Sequence, residues 1–452
     1  MATRVQKFSR EANFLSFTLN ITIALFGFAS FALLARSFPM ELFGEWVLYV
    51  SASALIDMIR YGITQTAVVR YLSGAENEER YKIIGSSVFL GIVSTLIISL
   101  TILVCHYVFS EPIKHSGYEL FFTWYPLLAF VRFPYQNSLI ILQADLEFKK
   151  MLFIKSFETG VFFLLVASNF FLLHLTITQL IGFQIIINLA TSFICIFKGW
   201  DGLLYLGKTT VRTNKILLDF GKYTSFTLIG SNLLKSADTL IISLSPLGTA
   251  GVALYSIPLK LTEIQQIPLR SFISTAFPKM SKASMQQNTE RVKELFYTYS
   301  GAMTILFFFI CFTTFVFSDL FVLILGGNKF ISNNPLLDAN AVTIMKAFSI
   351  YGLFLPVDRM TGVCLDSINK PDKNLLKVFI MVIANVGGDL IAIFVFKSLL
   401  LVAIGSIFFA FTGVVVGIYL LDREIHIQLR QIVFRGFGFF TDYYRNFKNH
   451  NI

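Results

Sequence analysis

Charge is scarce in this sequence. Lys, Arg, Asp and Glu make up 14% of its 452 residues, roughly half the ~25% found in soluble domains. With 55% hydrophobic residues and a mean hydropathy of +0.69, the chain lacks the composition of a water-soluble body. Cysteine is also sparse. Cys105, Cys195, Cys311 and Cys364 each sit in or beside an apolar run, with no CxxC or Cys/His spacing, so neither a zinc module nor a disulfide framework is expected. The five histidines are dispersed, and none has a second His or a Cys one helical turn away. Nucleotide motifs are absent: Gly326-Gly327-Asn328-Lys329 lacks P-loop spacing and strand context and reads as a turn. No metal, nucleotide or other cofactor is therefore expected. Long connections are missing too. The largest, near 199–215, 278–293 and 319–336, run to about twenty residues. That leaves no room for the large outward loop of a glycan polymerase or ligase, so an enzyme is not expected.

What the sequence does have is apolar length. Runs long enough to cross a bilayer recur from end to end, at about 13–35, 44–70, 83–109, 118–145, 151–174, 178–198, 216–243, 249–277, 294–318, 337–365, 374–396 and 399–421. The expected fold is all-α and polytopic, with about 12 transmembrane helices. The start, Met1 to Glu11, is polar and basic and leads into a full-length span, which differs from a cleaved signal peptide. The net charge of +10 forms no basic soluble domain, so nucleic acid is not an expected partner. Instead the cations sort by side. Groups of three to five Lys and Arg alternate with connections holding at most one each, namely Arg36, Lys114, Lys329 and Lys397. The positive-inside rule then puts both termini in the cytoplasm.

Three fragments repeat in order. Ser16-Phe17-Thr18-Leu19 returns as Ser225-Phe226-Thr227-Leu228, Gly44 and Tyr49 return as Gly251 and Tyr255, and Asn77 to Lys82 returns as Asn288 to Lys293. The expected organisation is a six-helix bundle over 1–200, a cytoplasmic linker over 201–215, a second six-helix bundle over 216–421 and a partly amphipathic cytoplasmic tail over 422–452. Six is even, so the halves share one orientation and are related by a pseudo-twofold axis along the membrane normal.

Several cations fall inside the apolar runs, and seven stand out as candidates: Arg60, Arg132, Lys235, Lys260, Arg270, Lys346 and Arg359. Each is costly in hydrocarbon, and such residues usually face a bundle interior or a wet cavity. Their sign suggests an anionic cargo. Asp57/Arg60, Lys155/Glu158, Lys235/Asp238 and Lys260/Glu263 are spaced i, i+3 on one helix face. Each pair reads equally as a local ion pair or as a phosphate site positioned by its acid. Arg132, Arg270 and Lys346 have no acid at that spacing. Arg132, with Pro134, Tyr135, Gln136 and Asn137 beside it, is the first choice for pyrophosphate, since guanidinium matches phosphate oxygens bidentately. Snorkelling is the alternative for Arg270. Pro356 is expected to break its helix locally, beside Asp358-Arg359. Asp389 stands four residues after Asn385. It is a candidate for proton or sodium coupling, or else a hydrogen-bonded helix contact, or a partner of Arg359 or Lys346.

Three stretches resemble a known family. The first runs from Ala35-Arg36-Ser37 through Phe43-Gly44 to Arg60-Tyr61-Gly62 and Arg70-Tyr71-Leu72. The second joins Ala237-Asp238, Ala250-Gly251, Leu254-Tyr255-Ser256, Lys260 and Phe277-Pro278. The third is Ile368-Asn369-Lys370 with Ala384-Asn385. Together they resemble the polysaccharide flippases of the multidrug/oligosaccharidyl-lipid/polysaccharide exporter superfamily. One departure is Ser367-Ile368, where that family tends to carry a small Gly. The resemblance implies an undecaprenyl-diphosphate-linked oligosaccharide as cargo, flipped through a central cationic cavity between two bundles in the bacterial inner membrane for O-antigen, lipopolysaccharide or another surface polysaccharide. Membrane lipids, a polysaccharide polymerase and chain-length proteins would be its partners. An ion-coupled multidrug exporter of the same superfamily is the alternative, and the acids Asp57, Asp238, Glu263 and Asp389 leave it open.

Overall fold

The structure, a computed structural model, describes residues 2–73, 75–333, 339–432 and 434–439; the side chains of 2–17, 20, 63, 220–235 and 274 lie outside the description. Within it the chain is helical from end to end. The first half holds α1 (Ala2–Ser37), α2 (Met40–Leu72), α3 (Asn77–Val108), a short α4 (Ser110–Lys114), α5 (Glu119–Ala144), α6 (Phe148–Ser168) and α7 (Ile177–Phe197). Then come α8 (Val211–Ser243), α9 (Gly248–Met285), α10 (Thr289–Val316), a short α11 (Ser318–Gly326), α12 (Ala341–Ser367), α13 (Pro371–Leu390) and α14 (Leu399–Ile425). Apart from the two short ones, these are the twelve long helices the apolar runs require.

Local chemistry sets many of their starts. A capping box, with Thr176 and Gln179 exchanging side-chain and backbone bonds, opens α7. The side chains of Asn288, Asn340 and Ser398 accept from the third backbone N–H of α10, α12 and α14. Pro371 stands in the first turn of α13, where its missing N–H costs nothing. The fifth long helix of each half ends in a π turn, Asn169–Leu173 after α6 and Ile391–Val395 after α13. That shared irregularity is a structural sign of the repeat.

Among the described residues, eight of the long helices are apolar enough by length and composition to cross a membrane. Among the others, α5 and α9 carry Arg132, Lys260, Glu263 and Arg270. Their charged side chains lower the hydropathy of these helices. Large apolar side chains such as Leu100, Phe309 and Phe312 stay exposed, as lipid contact allows. The protein is a multi-pass membrane protein.

The chain forms two compact units. Unit 1 is residues 1–236 with 248–253, and unit 2 is residues 237–247 with 254–452. In unit 1, α5 packs against α2, α3 and α7, and α6 against α1. Its core includes Val68, Ile84, Val88, Phe133 and Ile140. In unit 2, α12 packs against α10 and α14, and α13 against α14. Its core includes Met280, Phe296, Met360, Cys364 and Leu421. Lipid tails are as apolar as Leu, so such packing leans on small residues and interhelical hydrogen bonds. Gly413 and Gly417, a GxxxG pair on α14, show this. A Cβ at either would strike Asp358 or Thr361 of α12.

Pro356, Asn137 and the tail show what packing adds to these expectations. Pro356 does not interrupt α12, which runs unbroken from Ala341 to Ser367 with Pro356 buried inside it; packing against α10 and α14 holds the helix through the missing N–H. Asn137 is not on a wet face. It is buried, accepts from the Ser87 hydroxyl at 2.8 Å and donates to the Asp201 carbonyl at 2.7 Å, tying α5 to α3 and to the loop after α7. Burial pushes the Asp201 carboxyl above the usual range, with the N–H groups of Leu203 and Gly202 pulling the other way. The tail folds back: 429–432 and 434–439 are helical, Ile432 joins the core of unit 2, and Arg435 reaches Glu294 of α10 at 3.6 Å.

Candidate functional site

Unit 1 gathers charge from three helices. On α2, Asp57 and Arg60 lie one turn apart and pair at 2.9 Å. Arg60 is fully buried. It donates to the Ala129 carbonyl of α5 at 2.7 Å and to the Tyr61 hydroxyl at 2.6 Å. On α5, Arg132 donates to Asp57 at 3.2 Å and to the Tyr135 hydroxyl at 3.0 Å, with Glu158 of α6 at 3.9 Å. Lys155 completes the group, 3.4 Å from Glu158. Tyr125 of α5 donates its hydroxyl to Asp57 at 2.8 Å. Three cations thus share two carboxylates, and the cluster keeps a surplus positive charge. Its members differ in access. Arg60 has 0% of its side chain exposed, whereas Asp57, Arg132 and Lys155 keep 17–21%. Arg132 and Lys155 are therefore the cations an incoming anion can reach, with Arg60 behind them as a fixed charge.

The partner that helical spacing could not supply for Arg132 comes from α2. A carboxylate 75 residues away in sequence is brought beside it when α2 packs on α5. Tyr49 and Tyr135 were not among the expected site residues. Tyr49 is buried and donates to Gln184 of α7 at 3.2 Å; Tyr135 receives the Arg132 bond. The place of Tyr49 in the repeat, opposite Tyr255, was the signal for it.

Unit 2 gathers acid. Asp238 of α8 and Asp389 of α13 are both buried, and the Asn385 amide donates to the two of them, at 2.9 and 3.2 Å. Tyr255 of α9 donates its hydroxyl to Asp238 at 2.6 Å. Asp389 keeps one carboxyl oxygen without a described partner. Its partners are thus Asn385 and the Asp238 network, not Arg359 or Lys346. The Lys235 side chain, expected to pair with Asp238, lies outside the described residues.

The remaining expected cations are dispersed. Lys346 is half-buried with its ammonium 6.0 Å from the Phe315 ring. Arg359 lies 3.8 Å from Asp358. Lys260 pairs with Glu263 at 2.8 Å, and Arg270 is exposed on α9. Asp358 is committed elsewhere. Lys377, at the start of the apolar run over 374–396, is buried in the second turn of α13; it donates to the Asp358 carboxylate at 2.9 Å and its carbonyl at 2.6 Å. The sequence hint was positional: Lys377 comes one turn after Lys373 in a helix that begins at Pro371.

The family follows from the chain itself. A family model described as polysaccharide biosynthesis protein matches residues 11–284. The chain is a member of the polysaccharide biosynthesis protein family. No curated protein matches it. Solved structures show the fold of this family member. An inward-facing multidrug resistance MATE family transporter of the MOP superfamily is similar at 15% identity and TM-score 0.73, covering 89% of this chain and 94% of that one. Lipid II flippase MurJ in an inward closed conformation is similar at 15% identity and TM-score 0.69, covering 95% and 90%. A MOP superfamily transporter from Pyrococcus furiosus is similar at 15% identity and TM-score 0.60, covering 91% and 93%. The fold is thus that of MOP superfamily transporters, and the structural relatives are transporters and flippases.

Proposed function

We propose that the protein is a flippase for undecaprenyl-diphosphate-linked oligosaccharide, working by alternating access in the bacterial cytoplasmic membrane with both termini in the cytoplasm. The glycan would serve O-antigen or another surface polysaccharide. The observation that carries this reading is the partly exposed pair Arg132 and Lys155 within a cluster of surplus positive charge, in a chain of the polysaccharide biosynthesis family. A diphosphate offers the oxygens such a cluster lacks, and a guanidinium receives two of them at once. Arg60 adds field without contact. Lys235, Lys260, Arg270, Lys346 and Arg359 remain candidates for later contacts along the path.

The driving force we assign to the acid cluster of unit 2. Two buried carboxylates that share one amide donor, with a free oxygen on Asp389, favour a bound proton or sodium ion. Glu158 and Asp57 are occupied by cations and suit that role less. The Asp238–Asn385–Asp389 group also gives the second reading its support, an ion-coupled drug exporter, since the MATE transporter shares the fold.

The test replaces Arg132 by Ala and by Lys in cells lacking the native gene. Surface polysaccharide should fall at least about tenfold in Arg132→Ala with normal protein level, and drug susceptibility should stay unchanged. Normal glycan in Arg132→Ala, or a drug phenotype without a glycan one, sinks the reading.

A further inference from the structure

A pocket of about 240 Å³ lies within unit 1, between α1, α2, α5 and α6. Three glutamines, Gln65, Gln136 and Gln143, line it together with Tyr61 and Lys155. Resting on the flippase reading, we propose that this pocket is a saccharide subsite, which takes one sugar ring of the cargo while Arg132 and Lys155 hold its phosphate.

Four observations converge. First, the amides are free. The side-chain amides of Gln65 and Gln143 make no hydrogen bond to a described residue, and the one bond of the Gln136 amide is a long 3.4 Å to the Tyr135 hydroxyl. A primary amide both donates and accepts, which matches sugar hydroxyls and an N-acetyl group better than it matches phosphate, an acceptor alone. Second, the volume is small. It falls below the ~300–1,000 Å³ of pockets for whole drug-sized ligands, so it admits one ring of a larger molecule. Third, the remaining wall is apolar: Leu139, Ile140 and Met151 would cover the C–H face of a ring. A lipid chain would fit that wall but would strip water from three amides and return no hydrogen bond. Fourth, the pocket adjoins the charge cluster through shared residues. Lys155 lines the pocket and pairs with Glu158, and the Tyr61 hydroxyl receives the Arg60 guanidinium. A phosphate on the cations and the sugar bonded to it would therefore occupy neighbouring places.

The experiment measures binding to the full-length protein in nanodiscs with two probes: undecaprenyl diphosphate, and undecaprenyl diphosphate carrying one N-acetylhexosamine or hexose. The wild type should bind a sugar-bearing lipid more tightly than the bare one. Gln65→Leu/Gln143→Leu should lose about tenfold on that lipid and bind the bare lipid as before, which also reports that it is folded. The milder Gln143→Asn should lie between. A double variant that keeps the wild-type preference overturns the subsite. So does an equal loss on both probes that recurs in Gln143→Asn, or a wild type that binds both probes alike; the flippase reading survives these results. If the wild type binds neither lipid, the flippase reading fails and takes the subsite with it.

Discussion

Unit 1 puts three cations on two carboxylates, Arg60, Arg132 and Lys155 on Asp57 and Glu158. Unit 2 puts two carboxylates on one amide, Asp238 and Asp389 on Asn385. The halves repeat their helices, down to a π turn after the fifth long helix of each, yet these two clusters carry opposite charge surpluses. The repeat therefore supplies a frame and leaves the polar positions free to diverge. On the proposed reading one half meets an anion and the other a cation. Unit 2 also holds a closed ion pair, Lys377 with Asp358, both buried, with partly exposed Arg359 3.8 Å from the same carboxylate.

The largest effect expected is on folding. Asp57→Asn leaves fully buried Arg60 without its carboxylate and should cost about 3–5 kcal/mol, read as a lower unfolding midpoint in detergent. Lys377→Met should cost a similar amount in unit 2, and the double variant with Asp358→Asn should recover most of it. Unchanged stability in Asp57→Asn would remove the contrast between an open and a closed cluster. Next in size is coupling. Asp389→Asn should abolish the response of transport to an imposed proton or sodium gradient, while Glu158→Gln should retain it. The reverse pattern would move the cation site to unit 1. Arg132→Lys keeps the charge but loses the fork. It should lower glycan export about tenfold, the worth of one charge-assisted hydrogen bond, and full export would show that a point charge suffices.

The smallest effect concerns Asp201, a buried carboxylate outside both clusters. Burial raises its pKa in the folded protein, so folding favours the protonated form. Its contribution is complete below the unfolded value of about 3.9 and is lost as pH rises through the folded value. Asp201→Asn should flatten that decline and raise stability at neutral pH by less than about 1 kcal/mol. An unfolding series between pH 4 and 7 reads it, and a steeper decline in the variant would contradict the assignment.

Particular residues show what the sequence made legible. The twelve long helices follow from apolar length, because a bilayer sets one scale for every span. The pairs Asp57/Arg60, Lys155/Glu158 and Lys260/Glu263 form as their spacing requires, since residues three apart on a helix are neighbours in any fold. Lys377 did not stand out because a cation near a helix start looks the same whether it faces water or a buried Asp. The glutamine pocket was invisible, as Gln65 and Gln143 lie on different helices and neither is unusual alone.

The sequence by itself determined the membrane setting, the helices and the contacts within each helix, because those depend on composition and on a fixed helical pitch. Only the tertiary structure decided that Arg132 shares Asp57 with Arg60, that Asp389 meets Asp238 through Asn385, and that three glutamine amides face one pocket. Those meetings depend on which helices pack and in what rotation, and many weak side-chain contacts set that together, so no local spacing records it.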